Sequence, residues 1–278
     1  MSVRSAVVSM QYRHPAMISL SGPVAGEAAL TGFLGPEPAD EETDCDLMIA
    51  AATVDHVDVV TGAAARMRIA RHLRRHPDGR VTLTPPKDGT VADRLLELLA
   101  DLPDAVRIAP EREPVEHPRF ALIPATQISD GQDAHAVGEF ALEACEAARV
   151  SDERAGIVAL ATMELAENAL LHAKDAEDSP VVAATVSGRE RHVQIAVLDS
   201  GNGISEARSA DKTLAAIPDH KNVAGFLPEL LRLGQRHDLK VSIEILAGTG
   251  RLGWRWNGHR SLRGIHVPGT TVIARIDP

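Results

Sequence analysis

The segment that decides the fold is "ATMELAENALLHA", residues Ala161 to Ala173. Its composition predicts a helix that is apolar on almost every side, yet Glu164, Asn168 and His172 recur at steps of four. Residues at that spacing share one face of a helix, so a carboxylate, an amide and an imidazole form one stripe. Because an unpaired carboxylate in apolar surroundings is costly, the stripe either faces solvent or serves a ligand.

A second motif favours the ligand. The segment "VQIAVLDSGNGI" reads as an apolar strand that ends at Asp199 and is followed by Gly201 and Gly203. A carboxylate at a strand end can accept a hydrogen bond from an exocyclic amine, and glycines beside it let the backbone approach a flat ring closely. Alone this pattern is weak, since aspartate and glycine also make ordinary turns. Together with the preceding helix it becomes a strong signal for nucleotide binding.

These two motifs resemble those of the GHKL ATPase superfamily, which has the Bergerat fold. Within it, "ELAENALLHA" is most similar to the first box of the anti-sigma-factor serine kinases. The resemblance covers about residues 120–276. It implies an α+β sandwich in which a mixed sheet is covered by helices on one face, and it implies ATP or ADP bound with Mg²⁺.

The resemblance gives the helix stripe its roles. Glu164 matches the acid that orients or deprotonates the attacking nucleophile, and Glu167, one turn away, is the fallback candidate for that base. Asn168 matches the amide that ligates Mg²⁺, an ion that prefers hard oxygen ligands. His172 matches a histidine of the kinase-like members, where it either braces the helix end or contacts phosphate.

The resemblance also assigns the adenine end of the site. Asp199 matches the residue that reads the adenine amino group, and Gly201 and Gly203 shape the pocket around the ring. Thr270, in "PGTTV", matches the hydroxyl that lies near the adenine.

The phosphate end departs from the family pattern, which is a glycine-rich lid that opens a helix. Here the matching segment "KNVAGFLPEL" keeps only Gly225. Backbone amides of such a lid hold the outer phosphates, so its change affects turnover more than binding. Lys212 or Lys221 either neutralises phosphate charge or is merely solvated.

The first half of the chain predicts a small α/β layer, because short apolar runs alternate with amphipathic segments. The predicted strands are Met17 to Ser21, Leu47 to Ala52 and Arg80 to Thr84, and the predicted helices are Gly26 to Leu34, Gly62 to Leu73 and Val91 to Leu102. Three prolines and several charges in "APEREPVEHPR" predict a linker. We therefore expect a first domain at residues 1–110, a linker at 111–119 and an ATP-binding domain at 120–278.

The second half predicts helices and strands in an order that fits the Bergerat fold. The predicted strands are Phe120 to Thr126, Pro180 to Gly188, His192 to Asp199, Lys240 to Ala247 and Thr270 to Ile276, and the predicted helices are Gly131 to Val150, Ser151 to Ala173 and Phe226 to His237. The insertion "GTGRLGWRWNGHRSLRGIHVPG" before the last strand is either a surface hairpin or a loop that contacts a partner.

The first domain resembles a STAS-type domain, the fold of anti-anti-sigma factors, over about Ala16 to Pro110. The resemblance rests on "MRIARHL", "GRVTLTPP" and "LLELLADL". Signalling members carry Asp-Ser-Ser-Gly before the central helix, with one serine phosphorylated. This chain has "VVTG" there, so Thr61 has either a structural or partner-docking role or the role of a phosphoacceptor.

Charge and composition exclude several other classes. The net charge of −10 argues against a nucleic-acid or anionic-membrane partner, since phosphates are bound by basic surfaces. The basic run Arg71 to His76 is interpreted as a solvated helix face. No apolar run reaches membrane-spanning length, so we expect a cytoplasmic protein, with Cys45 and Cys145 as inert, buried thiols.

The sequence leaves three functions open. The first is an ATP/Mg²⁺-binding regulator that resembles an anti-sigma-factor serine/threonine kinase, whose protein partner would be an anti-anti-sigma-like or sigma-factor-like regulator. The second is a non-catalytic nucleotide switch. The third is a histidine-kinase catalytic module, which would need a phosphoacceptor histidine on a two-helix hairpin, whereas His135 lies on a single predicted helix. A homodimer is open, because kinase-like relatives often dimerise.

Overall fold

The computed structural model describes residues 16–35, 45–111, 119–173, 176–201, 230, 232–247, 252–256, 261–262 and 269–278. The strands of these residues form two sheets, one parallel and one antiparallel, with helices packed against them. The predicted fold class, an α/β unit followed by an α+β sandwich, is confirmed.

The first unit contains a parallel sheet in the order β1-β2-β3-β4. Its strands are β1 (Ala16–Val24), β2 (Leu47–Val57), β3 (Val81–Thr84) and β4 (Val106–Ile108), and its helices are α1 (Glu27–Leu34), α2 (Val59–Arg75) and α3 (Gly89–Leu98). Parallel neighbours require long crossover connections, and the three helices lie in those connections. All predicted strands and helices are present, and β4 is an addition that the sequence did not predict.

Helix α2 begins earlier than the predicted start at Gly62 because of a capping box. The Asp58 carboxylate accepts the backbone N–H of Thr61 at 3.0 Å, and the Thr61 hydroxyl accepts the N–H of Asp58 at 2.9 Å. The same hydroxyl donates to the carbonyl of Val24, and Thr61 is 1% exposed. An enclosed hydroxyl with two backbone partners supports the structural role of Thr61 over the phosphoacceptor role.

The second unit contains an antiparallel sheet in the order β10-β9-β8-β11-β7-β6-β5. Its strands are β5 (Ala121–Gln127), β6 (Val181–Ser187), β7 (His192–Asp199), β8 (Lys240–Ala247), β9 (Leu252–Trp256), β10 (Ser261–Leu262) and β11 (Thr270–Asp277), and its labelled helices are α4 (Gly131–Ala147) and α5 (Asp152–His172). Residues 232–236 are also helical. The last strand enters between β7 and β8, so every described pair is antiparallel, whereas a mixed sheet was expected.

Helices α4 and α5 cover one face of this sheet, as predicted. Leu165, Ala166 and Ala169 of α5 share one buried cluster with Ile195 of β7 and Val272 of β11. These side chains recur at three- and four-residue steps, which places them on a single face of α5. Packing of that apolar face fixes α5 against the two strands that carry Asp199 and Thr270.

The opposite face of the sheet is covered as well, by α2 of the first unit. Ala63 and Met67 belong to the same buried cluster as Val181, Ala183 and Ala196 of the antiparallel sheet. The expectation of helices on one face therefore holds only for the second unit taken alone. A physical reason is visible in β6, where six consecutive residues are buried, because a strand with an apolar run instead of alternation is covered on both faces.

A polar junction joins α3 to the first strand of the second unit. The Glu97 carboxylate oxygen Oε2 accepts the backbone N–H groups of Arg119, Phe120 and Ala121 at 2.9, 2.6 and 2.9 Å. The Arg94 guanidinium lies 5.0 Å from the centre of the Phe120 ring. These contacts hold the start of β5 against the first unit. The linker that was predicted at 111–119 lies almost wholly outside the described residues.

The cysteine prediction is confirmed for one residue and wrong for the other. Cys145 is buried in the helix–sheet core, and burial raises the pKa of its thiol to about 12. Cys45 is exposed at the start of β2. Isolated cysteines usually pack as small apolar side chains, but Cys45 comes before the first buried residue of its strand.

The insertion before the last strand contributes β9 and β10 to the sheet. Strand β9 pairs with β8, with Trp254 opposite Ile245, and β10 continues the sheet outward. The rest of the insertion lies outside the described residues, and its contact with a partner stays a prediction. Within the part of the chain that the structure describes, no helix is both long enough and apolar enough to cross a membrane.

Candidate functional site

Asp199 ends β7 directly opposite Thr270, the first residue of β11. Its oxygen Oδ1 accepts the backbone N–H of Gly201 at 2.9 Å and that of Thr270 at 3.2 Å. Asp199 is 8% exposed. Burial raises its pKa from 3.8 to about 6, and the two backbone hydrogen bonds act in the opposite direction. Three residues that were predicted for the adenine end thus lie together.

Gly269 contacts the backbone of Asp199 so closely that no other residue fits there. Its φ angle is +101°, and a Cβ atom at this position would lie 1.7 Å from the Asp199 carbonyl oxygen. Only glycine tolerates that combination of backbone conformation and contact. Gly269 is a residue of this site that was not predicted from the sequence, although the Pro-Gly pair before β11 is a known turn signal.

The stripe on α5 runs from the buried core to a half-buried end. Glu164 and Asn168 are both half-buried, so the stripe does not simply face solvent. The Asn168 amide nitrogen donates to the Glu164 carbonyl at 2.8 Å, which leaves Oδ1 as the atom that could bind a metal. Burial, and then the neighbouring charge of Glu167, raise the pKa of Glu164. His172 is the last residue of α5, and its side chain lies outside the described residues.

Glu167 is directed towards α4. Its carboxylate lies 3.5 Å from Nε2 of His135 on that helix. Glu167, the fallback base, therefore has a partner on another helix. Glu164, the first candidate for the base, has a pKa that burial raises above its ordinary value. His135 lies on α4, which packs extensively against α5.

The end of α5 and Asp199 lie at the same edge of the sheet. Residues 176–180 lead from α5 into β6, whose first residue pairs with Leu198. Within this connection the N–H of Asp178 donates to the Ser200 hydroxyl at 3.3 Å, and that hydroxyl donates back to the Asp178 carbonyl at 3.3 Å. Asn168 is one turn before the end of α5, so it lies on the side of the unit where β7 ends.

Asp178 also joins this edge to the first unit. Arg71 of α2 places Nε 3.0 Å and Nη2 2.9 Å from Oδ2 of Asp178, and Arg74 places Nη1 2.7 Å from Oδ1. The interpretation of the basic run as a solvated face is therefore wrong for Arg71, and also for His72, which is buried. No sequence signal connects Arg71 to an aspartate so far along the chain.

Two oxygen atoms of the described site bear on the predicted ligands, one on Asp199 and one on Asn168. Both hydrogen bonds that the described residues donate to the Asp199 carboxylate fall on Oδ1, and none of them falls on Oδ2. Among the described residues, no group of three His, Cys, Asp or Glu side chains could hold a metal ion. The Asn168 side-chain oxygen is a hard ligand of the kind that Mg²⁺ takes, and that ion keeps several waters and takes further ligands from bound phosphates.

Four residues considered for the glycine-rich and phosphate-binding segments lie outside the described residues. They are Gly203, Lys212, Lys221 and Gly225. Their contribution to the site stays a prediction.

Comparison with known proteins identifies the segment that holds Glu164, Asn168 and Asp199, whereas Thr270 lies beyond it. Residues 129–228 match the family model described as a histidine kinase-like ATPase domain, which confirms the predicted superfamily for this segment. Among solved structures, the histidine kinase domain of a blue-light activated histidine kinase from Erythrobacter litoralis is 18% identical. That alignment covers 79% of this chain and 87% of the other, with a TM-score of 0.29. No curated protein matches the chain.

Proposed function

We propose, from the histidine kinase-like ATPase domain at residues 129–228, that this chain binds ATP with Mg²⁺ and acts as a signalling regulator. The observation that carries the proposal is the state of Asp199. A buried carboxylate whose Oδ1 is held by two backbone amides is costly to keep unless its remaining oxygen serves a ligand. An adenine amino group is a donor of the required kind.

The proposed binding roles come from the resemblance of the two sequence motifs. Asp199 would accept a hydrogen bond from the adenine amino group, beside Gly201 and Thr270. Asn168 would give its Oδ1 to Mg²⁺, whose charge would neutralise the phosphates when the nucleotide is bound. His172 and the segments with Gly203 and Gly225 would complete the phosphate end.

The proposed reaction is phosphoryl transfer to a serine or threonine of a protein partner. Glu164 would accept the hydroxyl proton, and its raised pKa brings a carboxylate closer to the range in which a base works well. Positioning and charge neutralisation supply most of the acceleration in such reactions. The resemblance of the α5 motif supports a cytoplasmic relative of the anti-sigma-factor kinases, with an anti-anti-sigma-like or sigma-factor-like partner and a STAS-like first unit.

A non-catalytic switch is the second candidate, and one observation favours it. Helix α2 of the first unit packs on the back of the sheet that carries Asp199, so a ligand at the front face could change how the first unit is held. A nucleotide would act as a switch if it bound two arrangements of that contact with different affinities.

Calorimetric titration of the full chain with ATP and ADP, with and without Mg²⁺, tests the binding proposal. We expect ATP to bind more tightly when Mg²⁺ is present, and Asn168→Ala to lose that dependence while it still binds ADP without metal. Gln132→Ala, which removes an exposed amide from α4, is the matched control. Absence of binding for both nucleotides would remove the proposal, and equal, metal-independent affinities would remove the kinase reading.

Glu164→Gln separates the kinase from the switch. If the chain is a kinase, this variant should bind ATP normally and fail to transfer phosphate, because the amide cannot accept the proton. Glu167→Gln is the control, since that carboxylate is directed towards His135. Retention of the regulatory output by Glu164→Gln would favour the switch.

A further inference from the structure

We infer that Asp178 is a positioning residue through which the first unit sets the geometry of the nucleotide site. The inference rests on the proposed nucleotide binding. It assigns a role to a buried aspartate, to two arginines of α2 and to a serine that the catalytic proposal does not use.

The first step of the connection is the buried ion pair. Asp178 is 4% exposed and Arg71 is 7% exposed. Arg71 donates a hydrogen bond from Nε to Oδ2 and places Nη2 2.9 Å from the same oxygen. Arg74 forms an ion pair with Oδ1 at 2.7 Å, without the geometry of a hydrogen bond. Arg74 also donates to the backbone carbonyl of Glu177. These contacts fix the backbone of the connection between α5 and β6 relative to α2.

The second step passes from Asp178 to the adenine end. The Ser200 hydroxyl accepts the N–H of Asp178 and donates to its carbonyl, so it follows any movement of that backbone. Ser200 lies between Asp199 and Gly201, and the N–H of Gly201 is one of the two donors to the Asp199 carboxylate. A shift of Asp178 would therefore move the groups that orient Asp199.

Packing alone gives no reason for this ion pair. Helix α2 already contributes a continuous apolar face to the shared core. Buried ion pairs give little net stability compared with apolar residues of similar size, because desolvation offsets the attraction. Their value is a defined geometry, and here the geometry is that of the segment next to Asp199.

Reciprocity follows from this arrangement. If docking of α2 favours the adenine-binding conformation, bound nucleotide must favour the docked α2 by the same factor. A partner that moves α2 would then release nucleotide, and nucleotide would resist that partner.

Three variants of the full chain test the inference: Arg71→Met, Ser200→Ala and the two combined. We expect each single change to weaken ADP binding about tenfold, a typical coupling between sites. The double variant should bind ADP with the same affinity as the single variant that binds it less tightly, because both changes act on one series of contacts. Arg75→Met, an exposed arginine of the same helix, should leave affinity unchanged.

A second measurement does not depend on nucleotide. Amide hydrogen exchange at Gly201 and Thr270, followed by NMR in the absence of ligand, should be about tenfold faster in both single variants if Asp199 loses its orientation. If Arg71→Met fails to fold, Ser200→Ala gives the same test without removing a charge.

The outcomes are distinct. Lower thermal stability of Arg71→Met with unchanged ADP affinity and unchanged exchange at Gly201 would make the ion pair merely structural and overturn the inference. If the wild-type chain does not bind ADP, the proposed function fails, and the exchange measurement still decides whether α2 positions Asp199.

Discussion

Replacement of Asp199 by asparagine should make the protein more stable and abolish adenine binding. The asparagine side chain is close in size and shape to aspartate, and its carbonyl oxygen can still accept the N–H groups of Gly201 and Thr270. What disappears is the cost of burying a charge. An interaction that is unfavourable for folding but required for a ligand is a mark of a functional residue.

The size of the expected gain in stability follows from the pKa of Asp199, which rises from 3.8 to about 6 on folding. A raised carboxylate pKa means that the folded protein holds the proton more tightly, so the penalty is absent below the unfolded pKa and complete above the folded one. At 1.36 kcal/mol for each pKa unit, the penalty is about 3 kcal/mol at pH 8 and about half of that near pH 5. Asp199→Asn should gain stability by these amounts.

Urea unfolding of both proteins between pH 5 and pH 8 measures this gain. The stability difference should grow as the pH rises through about 6 and then level off. Ser187→Ala, an exposed change at the opposite end of β6, controls for general effects of mutation. A difference that is independent of pH, or a variant less stable than the wild type at pH 8, would refute the assignment of a buried, uncompensated charge to Asp199.

Three other changes probe the groups around the site and the junction. Gly269→Ala should lower the free energy of unfolding by about 2 kcal/mol or more and prevent nucleotide binding, because its Cβ would collide with the Asp199 carbonyl. Gly22→Ala is the control in urea unfolding, since Gly22 has a positive φ but open space around it. Thr61→Val should lower the stability measured by thermal unfolding by about 1–3 kcal/mol, since the Asp58 N–H and the Val24 carbonyl lose their partner. Thr61→Ser keeps the hydroxyl and should retain most of that stability. Glu97→Ala should lower the free energy of unfolding by about 2–3 kcal/mol and speed amide exchange at residues 119–121, because three backbone N–H groups lose their acceptor. Unchanged exchange at these residues would contradict the role of Glu97 at the junction.

Local signals in the sequence predicted most elements of the second unit. Strand β8 has the predicted bounds, and α5 starts and ends within one residue of its prediction. These segments are apolar runs with clear limits: α5 starts after Ser151, and β7 ends at the Asp-Ser-Gly turn. The pairing of Asp199 with Thr270 was predictable for the same reason, because each of them stands at the end of such a run.

Contacts between distant parts of the chain could not be predicted in this way. The run around Arg71 looks solvated when only its neighbours are considered, and its partner Asp178 has no local feature that marks it. The start of α2 depends on the exchange of hydrogen bonds between Asp58 and Thr61, which periodicity does not register. Strand β4 has three residues, too few for a periodic pattern.

The shared core of α2 and the antiparallel sheet has a consequence for experiments on isolated fragments. In a fragment that starts at residue 119, the side of the sheet that α2 normally covers would be exposed to solvent, including Val181, Ala183 and Ala196. Such a fragment should self-associate or bind chaperones through this exposed apolar surface. Inactivity of the fragment could then result from its loss of solubility alone. Activity should therefore be assayed on a chain that contains both units.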